Sequence, residues 1–571
     1  MTRSEGTSGV RSGKTRRPST IPLVALLLPL LALLLSVGCG SGEPLKASQT
    51  PLKGGVLRLP GLPETLDPAR FLFVDEGWVD HCLFETLFAY APGVHVVTKT
   101  GANQEFTLPK EGLQLEPGLA AAMPEVSKDG KVYTIRLRSD SRFAPPVDRA
   151  VTATDVQYSF ERMLREPAAW VTFFFSSIEG VDDFIAGKGQ HVRGFTVVDP
   201  HTIELRLSRP DPTILNAFAL TDMSVVPKEW VEKWGKKFGQ NPLGSGPFMF
   251  VSWQQAGKLV LKRNPNYHDA AHVWLDGVEF VPYRWTVADL MRVQRGDLDV
   301  CFLDQPSWIK VRSDPKWKLY LDEQLMVDAY IVTLNAQMEP LDDVRVRQAF
   351  NWAVDRERLA RIAGCDPSWQ ILPEGMPGHI EGAKFYGFDP DKAKQLLAEA
   401  GYPDGVEVTL KYPSDIDFAR QMAQALQQDL KKSGIEVKLE MVPKMTYTTA
   451  LSTPGTIAMG LAEYSMDFPD PYDWVRMLFS KDAAVKGGTN NSFWWDQKVE
   501  DMIADAQFTL DLEKRIAKFS EVQRAISEGA PIVPVWQLLS ANLTSPAVGG
   551  YYTHPVYILD PEHYWRLPGG E

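Results

Sequence analysis

The 571-residue chain has only one long apolar run, and it stands near the N-terminus. The lack of others excludes a protein that crosses a membrane many times, because each helical span needs about 20 apolar residues. Cysteine is scarce, with four residues and no Cys-x-x-Cys, so no structural zinc motif or dithiol redox motif is written in the chain. The nine histidines are scattered and form no His-Glu-x-x-His, and no Gly-x-Ser-x-Gly occurs. The usual marks of a zinc protease and of an α/β-hydrolase are thus missing, no metal or cofactor is expected, and the chain does not read as an enzyme. Disorder is excluded by the opposite argument: 44% of the residues are apolar and 23% charged, a composition that can bury a core.

The apolar run, Ile21 to Val37, carries no charge and follows a tail with Arg3, Arg11, Lys14, Arg16 and Arg17. Gly38, Cys39 and a small polar stretch come next. A basic region, an apolar core and a small-residue junction form a secretory leader. Pro22 and Pro29 interrupt the run and no basic stop-transfer cluster follows, which argues against a permanent anchor. Leu35-Ser36-Val37-Gly38-Cys39 resembles a bacterial lipoprotein lipobox, with Ser36 where leucine is usual. The resemblance implies lipidation at Cys39 and attachment on the outer side of a bacterial membrane. Arg16-Arg17 lacks the apolar pair that follows a twin-arginine signal, because Pro18, Ser19 and Thr20 stand there.

Residues 1–38 contain five basic residues and one acid, so their removal takes the formal charge from −12 to about −16. Such a surface disfavours nucleic acid and anionic lipid heads as partners. Three cysteines would then be left, Cys82, Cys301 and Cys365, enough for one disulfide and a free thiol or for three thiols. Gly40 to Leu52, rich in Gly, Ser and Pro, reads as a flexible tether.

Beyond the tether the first half is strand-rich. Tyr133, Ile135 and Leu137 alternate with polar residues, as do Ile203, Leu205 and Leu207, and Leu259 with Leu261. Thr154-Asp155 is expected to cap a helix ending near Arg165. The second half has α/β character. Asp342 opens a helix bearing Val346, Ala349, Phe350 and Ala353, and Asp389-Pro390 opens another that stops at Gly401. A helix from Ser414 closes at Gly434 and runs into the alternating strand Ile435 to Met441, and residues 499–529 form a helix pair. The aromatic C-terminal segment after Pro534 is expected to return to the first half, which would give two crossings.

An ordered series of segments resembles the family 5 extracellular solute-binding proteins, which include the oligopeptide- and dipeptide-binding proteins of ABC importers. The series starts with Gly54-Gly55-Val56-Leu57-Arg58, Leu66-Asp67-Pro68 and Phe84-Glu85-Thr86-Leu87. It continues with Asn241-Pro242-Leu243-Gly244-Ser245-Gly246-Pro247-Phe248, Arg263-Asn264-Pro265-Asn266-Tyr267 and Asp343-Val344-Arg345-Val346-Arg347. The resemblance implies an α/β, two-lobed clamshell of the periplasmic-binding-protein type II fold, with an extra subdomain in the first lobe and a hinge of two strands. The expected division is a signal peptide at 1–38, a lipid-anchored tether at 39–53, lobe I with the inserted subdomain at 54–284, lobe II at 285–535, and a return to lobe I at 536–571. It further implies a monomer that encloses a peptide or other small solute and delivers it to an ABC permease and its ATPase.

Glu463-Tyr464-Ser465-Met466-Asp467-Phe468-Pro469-Asp470-Pro471 resembles the pocket segment of the peptide binders. There the resemblance gives Asp467 the ligand's α-ammonium group and places Tyr464 and Ser465 along the cleft. A buried cation is costly unless an anion meets it. Without the resemblance, Asp467 is equally a turn residue in an Asp/Pro-rich loop. Leu461 stands where some oligopeptide binders carry an arginine for the ligand carboxylate, which keeps other solutes open: an oligosaccharide, an opine-like conjugate or a metal chelate. A sensor for a membrane receptor is a further alternative. Trp494-Trp495, among sixteen tryptophans, could stack on a ligand or serve packing. Gly244-Ser245-Gly246-Pro247 reads as a tight turn in preference to a phosphate loop.

Overall fold

The computed structural model describes residues 51–61, 63–70, 74–91, 114–167, 169, 171–254, 257–414 and 417–568. The leader 1–38, Cys39 and the tether up to residue 50 lie outside the described residues. Among the described residues no helix is long and apolar enough to cross a membrane.

The first lobe is built on a four-stranded sheet in the order Val56–Pro60, Gly277–Val281, Leu259–Arg263, Phe248–Trp253. Val56–Pro60 runs parallel to Gly277–Val281, and the other pairs are antiparallel. Leu57, Leu59, Leu259, Leu261, Val278 and Phe280 point into one core, and the helix Val74–Leu83 covers it with Trp78, Val79 and Leu83. This is the period-two pattern of a sheet with one buried face. Residues 242–247 lie against the end of that helix. A Cβ on Gly244 would stand 2.3 Å from the Leu83 carbonyl oxygen, so glycine serves close backbone approach here. The segment bends at residues 245–247 with ordinary glycine φ values, so close approach and not a left-handed turn is what these glycines serve.

A second, antiparallel sheet carries Glu125–Val126, Val132–Arg136, Thr202–Arg206 and Phe195–Asp199. Tyr133, Ile135, Ile203 and Leu205 face the helix Ala153–Leu164 across Phe160, Phe175, Phe195 and Phe218. The helix is capped two residues earlier than the sequence suggests. Thr152 is its cap, and the Asp155 carboxylate accepts the Thr152 N–H at 2.9 Å in a reciprocal capping box.

The second lobe contains a six-stranded sheet in the order Asp366–Pro367, Ile532–Gln537, Asp328–Leu334, Met459–Ser465, Val406–Pro413, Ile435–Val442. Val406–Pro413 and Ile435–Val442 run parallel, joined by the crossover helix Asp417–Lys431. Asp328–Leu334 is buried on both faces. Val332 and Leu334 enter the core with Phe350, Leu397 and Leu426, whereas Ala329 and Ile331 pack toward Trp474, Phe519 and Val522. Asp389 caps the helix Pro390–Glu399 as expected, accepting the Lys392 N–H at 2.9 Å.

The lobe boundaries differ from those expected. Val300–Phe302 and Leu321–Leu325 both pair with Leu539–Thr544 in a three-stranded sheet that belongs with the first lobe. Asp299 ties it there: one carboxylate oxygen accepts the Arg58 N–H at 2.7 Å and the other meets the Arg566 guanidinium at 3.0 Å. The first crossing therefore follows Leu325 and not residue 284, and the return begins at Leu539 and not at 536. No glycine or proline punctuates the chain there, so only the pairing partner decides. The two crossing segments run side by side. The Met326 N–H donates to the Leu538 carbonyl, and the Leu538 N–H donates to Asp328 Oδ1, both at 2.9 Å. Cys82, Cys301 and Cys365 are free thiols.

Candidate functional site

The strand Met459–Ser465 lies in the interior of the six-stranded sheet: Val406–Pro413 pairs with its start at Met459 and Gly460, and Asp328–Leu334 pairs along its whole length and holds its C-terminal end. Beyond Ser465 the chain turns through Met466 to Pro469 and enters the helix Pro471–Phe479. Asp470 caps that helix, accepting the Tyr472 N–H at 2.8 Å, with Pro471 at its first position. One turn on, Asp473 points back toward the loop. Its Oδ2 accepts the Asp467 N–H at 2.9 Å, which places the two carboxyl groups in one pocket. The Tyr464 hydroxyl reaches both, at 3.3 Å from Asp467 Oδ2 and 3.3 Å from Asp473 Oδ1. The Tyr464 ring stands edge-on to the fully buried Trp474, with centroids 4.8 Å apart.

Asp470 does not share this arrangement. Arg515 grips it with two parallel bonds of 2.6 Å, and both groups are buried. Asp467 and Asp473 have no such cation: among the described residues no lysine, arginine or histidine is hydrogen-bonded to either or paired with it. Burial pushes the Asp473 carboxyl up to about 7. Burial and the neighbouring Asp473 charge push Asp467 well above the usual carboxylate range. Two acids this close and this dry hold a proton between them near neutral pH. The two carboxyls thus form an acidic site with no side-chain countercharge among the described residues.

The pocket lies where the lobes meet. Phe174 of the first lobe packs edge-on against Phe468, centroids 4.7 Å apart, and also touches Tyr472. Tyr90 faces the same acids from the first lobe: burial, then Tyr557 and the charges of Asp470, Asp473 and Asp467, push its hydroxyl well above the ordinary tyrosine value. That hydroxyl donates to Asn216 at 2.9 Å, and the Tyr90 N–H donates to the Tyr557 hydroxyl at 3.0 Å.

The structure brings together Tyr464 and Asp467 and leaves Ser465 exposed at the strand end, opposite Asp328. It does not bring the tryptophan pair to them. Trp494 packs on Phe479 and closes so tightly on Gly529 that a Cβ there would stand 2.4 Å from the ring. Trp495 lies on the surface under the Lys481 ammonium, 4.5 Å from its centroid. Both serve packing and surface contacts of the second lobe. Leu461 is buried in the core of that lobe, on the strand face opposite Tyr464, and its carbonyl accepts from the Tyr447 hydroxyl. Sequence reasoning missed Asp473, Tyr90 and Phe174. Only Asp473 left a local signal: Asp470-Pro471 announces a helix whose first turn carries it.

Two lobes joined by paired crossing strands, with a buried site at their meeting, define a binding protein of the periplasmic type II fold. The chain belongs to the bacterial extracellular solute-binding proteins of family 5, whose model (family 5 Middle) matches residues 114–486, more than half of the sequence. These are solute-binding proteins and not enzymes. The periplasmic oligopeptide-binding protein OppA of Escherichia coli (strain K12) is 27% identical over 527 residues, covering 87% of this chain and 91% of that one. Among solved structures, the clavulanic acid biosynthesis oligopeptide binding protein 2 superposes with a TM-score of 0.80 at 24% identity, covering 91% and 96% of the two chains. The Helicobacter pylori periplasmic binding protein DppA, in complex with the peptide STSA, superposes with a TM-score of 0.76 at 23% identity, covering 90% and 99%.

Proposed function

We propose that this protein is an exported lipoprotein, anchored through Cys39, that captures peptides between its lobes and delivers them to an ABC permease and its ATPase. The observation that carries the ligand class is the pair of the half-buried Asp467 and the buried Asp473, which has no side-chain cation of its own among the described residues. A peptide's α-ammonium group supplies the missing charge, and its three N–H donors match the acceptors of Asp467, Asp473 and Tyr464. Relatives named for oligopeptides support the same class. The rest of the peptide lies extended along the meeting of the lobes, bonded through its main chain, and Phe174 against Phe468 closes over it.

Calorimetry with a short peptide and its N-acetylated form tests the reading. The free peptide binds, the acetylated one binds at least tenfold more weakly, and Asp467→Asn costs the free peptide a similar factor, on the order of 1.4 kcal/mol. Equal affinity for the two forms would remove the amine from the site. Binding of an oligosaccharide in place of any peptide would reassign the ligand class.

A further inference from the structure

We propose that the first lobe binds a divalent transition-metal ion of the zinc class between His81, Asp560 and Glu562. These residues line a cavity of about 460 Å³ whose walls include none of Tyr464, Asp467 or Asp473. One ligand atom from each of the three lies within 4.8 Å of the other two. The set joins distant parts of the chain: His81 sits in the last turn of Val74–Leu83, and Asp560 and Glu562 flank Pro561 in a short 3-10 turn of the C-terminal return.

Each ligand is already oriented. The His81 ring lies flat on Tyr557, centroids 3.9 Å apart and planes 14° apart. Asp560 is almost wholly buried, and its Oδ2 is occupied, accepting from the Tyr552 hydroxyl and meeting His563 Nδ1 at 2.7 Å. Its Oδ1 is buried too, yet accepts no hydrogen bond among the described residues. It faces His81 Nε2 at 3.5 Å. That separation is long for a hydrogen bond, but ligands about 2.0–2.2 Å from a tetrahedral ion stand roughly 3.4 Å apart. Glu562 is held by the Tyr267 hydroxyl, which donates to Oε1 at 2.6 Å.

Tyr552, Tyr267 and His563 thus stand as outer hydrogen-bond partners that aim the carboxylates, an arrangement common around metal sites. One imidazole and two carboxylates suit zinc and its neighbours better than calcium, which takes six to eight oxygens. The cavity leaves room for water or a small ligand at the fourth position. The bound ion would clamp the first helix to the C-terminal return.

The test titrates zinc into chelator-treated protein by calorimetry and reads the visible spectrum of the cobalt(II) form. One ion per chain, with the intense bands of four-coordinate cobalt, is expected. His81→Gln and Glu562→Gln each weaken binding at least tenfold. His191→Gln, at an exposed histidine paired with Glu161, leaves it unchanged. If His81→Gln fails to fold, Glu562→Gln and the cobalt spectrum carry the test alone. No saturable zinc binding, six-coordinate cobalt bands only, or equal loss in His191→Gln would overturn the proposal.

Discussion

The Asp467 N–H donates to Asp473 Oδ2 at 2.9 Å, and this one bond sets a loop carboxyl against a helix carboxyl, with no basic side chain bonded to either among the described residues. Asp467 lies just before the helix and Asp473 in its first turn, so the helix cap at Asp470 fixes their geometry. Arg515 takes the charge of Asp470.

The pair makes folding and binding depend on pH with opposite signs. Both carboxyls titrate above the unfolded range near pH 4, Asp473 at about 7. Their contribution to stability is therefore full below pH 4 and is lost as pH rises through about 7. A cationic ligand needs the ionised pair, so its affinity rises from about pH 5 to about pH 8 and a proton leaves on binding. Calorimetry in buffers of different ionisation enthalpy measures that proton. Asp473→Asn should reduce both the release and the slope, leaving the part that burial of Asp467 supplies.

Arg515 stabilises the site by neutralising Asp470 in the interior. Arg515→Ala leaves a buried carboxylate with no countercharge, a loss of about 3–5 kcal/mol. Urea unfolding reads it directly. The double variant Arg515→Met with Asp470→Asn should recover part of the loss, because no lone charge is left behind.

Gly244 allows the 242–247 turn to lie on the end of the first helix. Gly244→Ala pushes a methyl group into the Leu83 carbonyl oxygen and should cost about 1–3 kcal/mol. Gly387→Ala meets only Trp352 at 3.5 Å and should change stability by less than about 0.5 kcal/mol. Differential scanning calorimetry separates the two.

Cys39→Ser should abolish incorporation of labelled fatty acid and move the protein from the membrane fraction to the soluble exported fraction.

Local features were legible in the sequence. Asp389-Pro390 names its helix because cap and first-turn chemistry act within four residues, and Ile435 to Val442 names its strand because alternation needs no partner. Tyr464 and Asp467 were legible through resemblance, and the structure places them together. The sequence left Trp494 open between stacking and packing, because a Trp-Trp pair in a Gly/Asn-rich loop gives no sign of Gly529, which receives its ring from 35 residues away. The lobe boundary was misplaced for a related reason: Leu321–Leu325 and Asp328–Leu334 are both plain strands, and their separation depends on which segment each pairs with.

The sequence by itself determined the alternation of strands and helices, the family, and the acidic loop at 463–471. These rest on contacts within a few residues or on composition, which the linear chain records. Only the tertiary structure decided that Asp473 completes the pair, that Phe174 closes on Phe468, and that His81 meets Asp560 and Glu562 from the far end of the chain. Such contacts pay chain entropy for proximity that neither partner's local pattern encodes, so they become visible only once the lobes have formed.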